Sequence, residues 1–125
     1  MVVLFLSKMK KEYRVKKNQE IETILKNRKY SANSYFSIYK MTNPKTSHFR
    51  YAISVGKKIG KAVERNHLKR RITAILDQIN IPIEQNIDIF IIAKPNSKNL
   101  EFKDLQKQLI YLLTKLNILK GAKND

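Results

Sequence analysis

Residues 87–93 read Ile-Asp-Ile-Phe-Ile-Ile-Ala, six apolar residues interrupted by the single charge of Asp88. The run is far shorter than the roughly 18 apolar residues a membrane-spanning helix needs. It does not alternate as a half-solvated strand would. Such a segment forms a strand only if both faces are covered. The rest of the chain must therefore supply helices to pack on a small sheet. With 125 residues there is material for one core, not two.

The flanking periodicities supply those helices. Asn18 is a cap for a helix running to about Asn27, with Gln19, Glu20 and Glu22 near its positive end and Ile21, Ile24 and Leu25 on one stripe. Ser34–Lys40 reads as a strand, with Phe36 and Ile38 on one face and Tyr35, Ser37 and Tyr39 on the other. Met41–Ser47, containing Asn43-Pro44, is a turn. Phe49–Val55 is a second strand, and a hairpin joining the two is the economical arrangement. A helix is expected over Ala62–Gln78, with Leu68, Ile72, Ile75, Leu76 and Ile79 buried. After the connection 80–86 and the apolar strand, Asn99 caps a last helix carrying Phe102, Leu105, Leu109, Leu112, Leu113 and Leu116. The predicted order is α, β, β, α, β, α, with room for one more short strand near residues 57–63. This is an α+β sandwich: a small mixed sheet with three helices. Residues 1–9 are expected to be a dispensable extension, 10–119 a single domain, and 120–125 a fraying tail.

Charge narrows the function. Residues 1–71 carry 19 Lys/Arg against 4 acids, whereas residues 72–125 carry 7 against 6. Solubility would not require that asymmetry; a face that binds a polyanion would. The concentration peaks between Gly56 and Thr73, where Lys57, Lys58, Lys61, Arg65, Lys69, Arg70 and Arg71 meet one acid, Glu64. On a helix, Asn66, Lys69, Arg70 and Thr73 fall at i, i+3, i+4 and i+7, opposite the Ile/Leu stripe. Like charges at i, i+4 repel, so seven basic residues within 57–71 cost stability unless an anion neutralises them. Arginine can clamp phosphate bidentately, and Asn66 adds a neutral hydrogen bond. On the first strand, Tyr35 and Tyr39 offer rings on which unpaired bases can stack, with Ser37 leaving room between them.

Several chemistries are excluded. No cysteine means no disulfide, iron–sulfur cluster, thiolate zinc site or cysteine nucleophile. Gly56-Lys-Lys-Ile-Gly60-Lys61-Ala62 is one residue short of a phosphate-binding P-loop and has Ala62 where Mg²⁺ needs Ser or Thr. No nucleophile–base pair or metal-spaced acid cluster is present; Asp77, Glu84 and Asp88 are scattered, and His67 lies among cations. The chain reads as a binding protein. A small ribosomal or RNA-chaperone-like module is the alternative in another class.

The stretch Ala52-Ile-Ser-Val-Gly-Lys-Lys-Ile-Gly-Lys-Ala-Val63, continuing Glu64-Arg-Asn-His-Leu-Lys-Arg-Arg71, resembles the signature of the bacterial ribonuclease P protein subunit. Tyr13-Arg14-Val15-Lys16-Lys17-Asn18 and Ile89–Ala93 followed by Lys94-Pro95 resemble it too. The resemblance implies a left-handed βαβ crossover in a fold of the ribosomal protein S5 domain 2 type, against the usual right-handed rule. It implies a cytoplasmic protein that binds the catalytic ribonuclease P RNA and the 5′ leader of precursor tRNA. The RNA, with Mg²⁺ held mainly by RNA, hydrolyses the phosphodiester; no membrane and no stable protein partner are implied. By the same resemblance, Lys57, Lys58, Lys61, Arg65, Asn66, Lys69, Arg70 and Arg71 face the catalytic RNA. Lys16, Lys17, Asn18, Ile21, Leu25 and Tyr39, together with Tyr35 and Ser37 beside it, form the leader site. Ile21 and Leu25 stand where the family often has Phe, and His67 and Thr73 where it often has basic residues.

Overall fold

The computed structural model describes residues 18–26, 29–42, 49–79 and 87–118, with the side chains of residues 18–20 excepted. Of the expected turn Met41–Ser47, residues 43–47 lie outside the described residues, as do the connection 80–86, the extension 1–9 and the tail 120–125, whereas Met41 and Thr42 continue the strand before it.

Among the described residues, three helices and four strands follow in the order α1 (Asn18–Lys26), β1 (Tyr30–Ala32), β2 (Phe36–Thr42), β3 (Arg50–Val55), α2 (Ala62–Gln78), β4 (Ile87–Ala93) and α3 (Phe102–Lys115). Short 3₁₀ turns at Lys57–Ile59 and Pro95–Asn99 lead into α2 and α3. The sheet order is β1-β2-β4-β3, with β3 and β4 parallel and the other pairs antiparallel. The mixed sheet and three helices are as expected, but the hairpin between β2 and β3 is not formed. β4 lies between them, because the most apolar strand gains most from being covered on every side. The extra strand is β1, at Tyr30–Ala32, and not in 57–63, where the chain makes a 3₁₀ turn and enters α2.

Alternation along the strands separates two cores. Phe36, Ile38, Tyr51, Ile89 and Ile91 face α2 and α3, meeting Leu68, Ile72, Ile75, Leu76, Leu105, Leu109, Leu112 and Leu113. Phe90, Tyr39, Met41, Ala52 and Ile92 face the other way, under Ile21, Ile24 and Leu25 of α1. Both faces of β4 are therefore covered, as its apolar run requires.

α3 begins later than its sequence suggests. Asn99 closes the preceding 3₁₀ turn, and Glu101 is the cap residue. Its other end closes in a Schellman arrangement. Asn117 takes a left-handed φ of 61°. The Ile118 N–H reaches the Leu113 carbonyl at 2.9 Å and the Asn117 N–H reaches that of Thr114 at 3.0 Å. Ile118 is fully buried, and the Lys40 ammonium donates to the Leu116 carbonyl at 2.7 Å. Burial, and secondarily the charge of Lys29, lowers the Lys40 pKa.

Candidate nucleic-acid interface

The chain leaves β3 through Gly56, and the 3₁₀ turn Lys57–Ile59 is pinned by Ile59, which is 2% exposed. That anchor turns Lys57 and Lys58 out to solvent. Gly60 follows with φ 150°, and any Cβ there would also collide with the Glu64 carboxylate. The close approach exists because Glu64 accepts the Lys61 N–H at 2.9 Å, closing the first turn of α2. Lys98 completes the arrangement, its ammonium 3.3 Å from the same carboxylate. The Lys61 N–H, and then Lys98, hold the Glu64 carboxyl below its ordinary pKa. The one acid in the basic segment is thus occupied at the helix start.

The cations beyond it stay open. Asn66, Lys69 and Arg70 are exposed along α2, and no acid pairs with Lys57, Lys58, Lys69 or Arg70 among the described residues. Thr73 is half-buried, its hydroxyl donating to the Lys69 carbonyl at 2.9 Å. Arg65 is half-buried, and its Nε is shielded from solvent without an acceptor. A guanidinium held in that state has its remaining N–H groups available for an incoming anion. Arg71 differs from its neighbours: its Nη2 donates to the Leu100 carbonyl at 2.7 Å, tying α2 to the segment before α3.

A second surface lies on the opposite face of the sheet. Ile21, Ile24 and Leu25 of α1 stand over Tyr39, Met41, Ala52, Phe90 and Ile92. Ser37 lies on the same side of β2, two residues before Tyr39. Tyr39 is half-buried, and its ring stacks on that of Tyr30, the centroids 5.2 Å apart and the planes at 23°. Beyond Ala52 and Phe90, Arg50 clamps Asp88 across the β3–β4 pair, with Nε to Oδ1 at 3.0 Å and Nη2 to Oδ2 at 2.9 Å.

Tyr35 does not join this surface. The Asn33 carboxamide oxygen accepts the N–H groups of Tyr35 and Phe36 at 2.8 and 3.0 Å, making a turn just before β2. Strand alternation therefore begins at Phe36, and Tyr35 packs against the main core instead. Lys16 and Lys17 lie outside the described residues. Asn18 is the first residue of α1, and its side chain too lies outside them. Tyr30, Phe90, Arg50 and Lys98 are the residues that sequence reasoning missed. Phe90 sits in an apolar run whose two faces are indistinguishable without knowing the neighbours. Tyr30 belongs to a three-residue strand too short to show alternation. Lys98 meets Glu64 only through the fold.

Among the described residues, no group of three or more His, Asp or Glu side chains gathers as a metal site, and no helix is long and apolar enough to cross a membrane.

The family model for ribonuclease P matches residues 9–117. The ribonuclease P protein component of Enterococcus faecalis is 41% identical over 111 residues, covering 89% of this chain and 94% of that protein. That of Limosilactobacillus fermentum is 40% identical over 106 residues, covering 85% and 93%. Among solved structures, a Staphylococcus aureus RNase P protein mutant described as defective in mRNA degradation activity superimposes with a TM-score of 0.83. It is 35% identical and covers 94% of this chain and 98% of that one.

Proposed function

This chain belongs to the ribonuclease P protein family, the protein component of an RNA-based enzyme in tRNA 5′ processing, and on that premise we propose how its two surfaces divide the work. The α2 face binds the catalytic RNA. Lys57, Lys58, Lys61, Arg65, Lys69 and Arg70 meet phosphates, and Asn66 adds a hydrogen bond that needs no counter-charge. Arg71 contributes by fixing α2 through Leu100. The α1 face takes the single-stranded 5′ leader of precursor tRNA, with Tyr39 as stacking ring, Ile21 and Leu25 as apolar wall, Ser37 as a small polar neighbour, and Lys16, Lys17 and Asn18 at the entrance.

The observation that carries this reading is the exposed Asn66/Lys69/Arg70 stripe, while Glu64, the one acid of the segment 56–73, is already engaged by the Lys61 N–H and by Lys98. Together with Lys57, Lys58, Lys61 and Arg65 the stripe crowds like charges into one short segment, which repel one another until a polyanion covers them. Chemistry belongs to the RNA, which holds Mg²⁺. Among the described residues no three acidic or histidine side chains gather as a metal site, Asp88 is buried against Arg50, and Glu64 is held by the Lys61 N–H and by Lys98. The protein lowers the Mg²⁺ requirement by offsetting phosphate repulsion between catalytic RNA and substrate in the cytoplasm.

The test is cleavage of a leader-bearing precursor tRNA by the ribonuclease P RNA of the same source at low Mg²⁺, with and without this chain. Correct 5′ ends only in its presence are the expected result. An RNA active at high Mg²⁺ that the protein fails to rescue at low Mg²⁺ would overturn the reading.

A further inference from the structure

β1 is the outer strand of the sheet and only three residues long, and no strand of the described residues shields its far side. Tyr30 is paired in register with Tyr39, and it remains 56% exposed. Few large apolar side chains of the described residues are left that open. Its ring is already in stacking contact with Tyr39. Rings in contact leave no room for a base between them. The open end of this two-ring stack is therefore the outward side of Tyr30, beyond the surface under α1. Cations flank it in the chain: Lys29 directly precedes Tyr30, and Lys26 ends α1 four positions earlier, both exposed. An open aromatic ring beside lysines is the pairing that holds single strands, the ring taking a base and the ammonium a phosphate.

We propose that Tyr30 forms an additional subsite for one unpaired nucleobase, stacked on its outward face one nucleotide beyond the base at Tyr39, with the adjoining phosphate near Lys26 and Lys29. The subsite rests on the reading of the α1 surface as the leader's seat. It lengthens the tract of leader that the protein senses, without reading base identity, because every base has a face to stack.

The experiment uses the enzyme reconstituted from the full chain and its RNA. Precursor tRNAs are made with leaders lengthened one nucleotide at a time, and Kd is measured for each and for mature tRNA. The native enzyme should gain affinity with length and then level off. Tyr30→Ala should level off one nucleotide sooner and bind longer leaders about 5- to 100-fold more weakly, with short leaders and mature tRNA unaffected. Tyr30→Phe should keep the native plateau. Tyr30→Leu, which retains apolar bulk against Tyr39 but no ring, should follow Tyr30→Ala. Equal loss at every length, or a Leu variant as good as Tyr, would make Tyr30 a packing partner and overturn the subsite. A native plateau unchanged by Tyr30→Ala would overturn it alone, leaving the leader reading standing. A native enzyme indifferent to leader length would overturn the leader reading and the subsite with it.

Discussion

Replacing Arg50 with Leu should cost about 3–5 kcal/mol of folding stability. Asp88 is fully buried, and the Arg50 side chain is 15% exposed. Two N–H···O contacts of 3.0 and 2.9 Å join them. Charge centres about 4 Å apart attract by about 4 kcal/mol at the effective dielectric of partly buried sites. Without the guanidinium, the carboxylate keeps its desolvation and loses that attraction. Against a typical total stability of about 5–15 kcal/mol the loss is large. Urea unfolding at pH 7, followed by far-UV circular dichroism, measures it. The informative companion is Arg50→Leu combined with Asp88→Leu, which removes both charges and leaves apolar volume in their place. It should recover most of the loss, because a buried pair is worth little against a well-packed apolar replacement. A cost below about 1 kcal/mol for Arg50→Leu, or a double variant no better than the single one, would refute the argument that pairing is what makes Asp88 tolerable there.

Three other expectations follow from single side chains. Arg70→Ala should lower the slope of log K against log salt for the partner RNA by about 0.7–0.9, the share of one phosphate contact, and an unchanged slope would remove Arg70 from the interface. Asn117→Ala should cost about 1 kcal/mol, because Asn117 holds a left-handed φ of 61° at the end of α3; Asn117→Gly should not, and thermal melts of the two compare them directly. Glu64 has a folded pKa depressed by the Lys61 N–H and by Lys98, so its contribution is present above the unfolded pKa and fades as pH falls through the folded one. Glu64→Gln should therefore melt below the native protein at pH 7 and level with it in strong acid; a gap that persists in acid would assign the loss to packing.

What could be read from the sequence was local. α2 and β4 have the bounds their periodicity gives, Ala62–Gln78 and Ile87–Ala93, because burial and helix spacing agree residue by residue there. Neighbour choice in the sheet was not local. β2 and β3 are adjacent along the chain and look like a hairpin, yet each gains more by pairing with β4, whose apolar side chains cover both. The α1 surface was legible only in part for the same reason. Tyr39 shows its side by alternation with Ile38, whereas Tyr35 lies in a turn fixed by the Asn33 side chain, and alternation carries no information before a strand begins.

The α2 stripe is the opposite case, and its legibility has a physical cause. An apolar stripe on one side of a helix commits the residues between its repeats to the other side, whatever packs beneath. Leu68, Ile72, Ile75 and Leu76 are buried, which by geometry alone leaves Asn66, Lys69 and Arg70 to solvent. The fold adds what spacing could not: which cations remain available. Arg71 is spent on the Leu100 carbonyl and the Lys98 ammonium is turned to Glu64, whereas Lys61 engages that carboxylate through its backbone N–H alone, leaving its exposed ammonium available. The contacts to Glu64 occupy the one acid of the basic segment 56–73, and together they brace the helix that carries the stripe. A helix so braced, with its cations unquenched, can present phosphate ligands without first rearranging, which is where preorganised recognition gains its affinity.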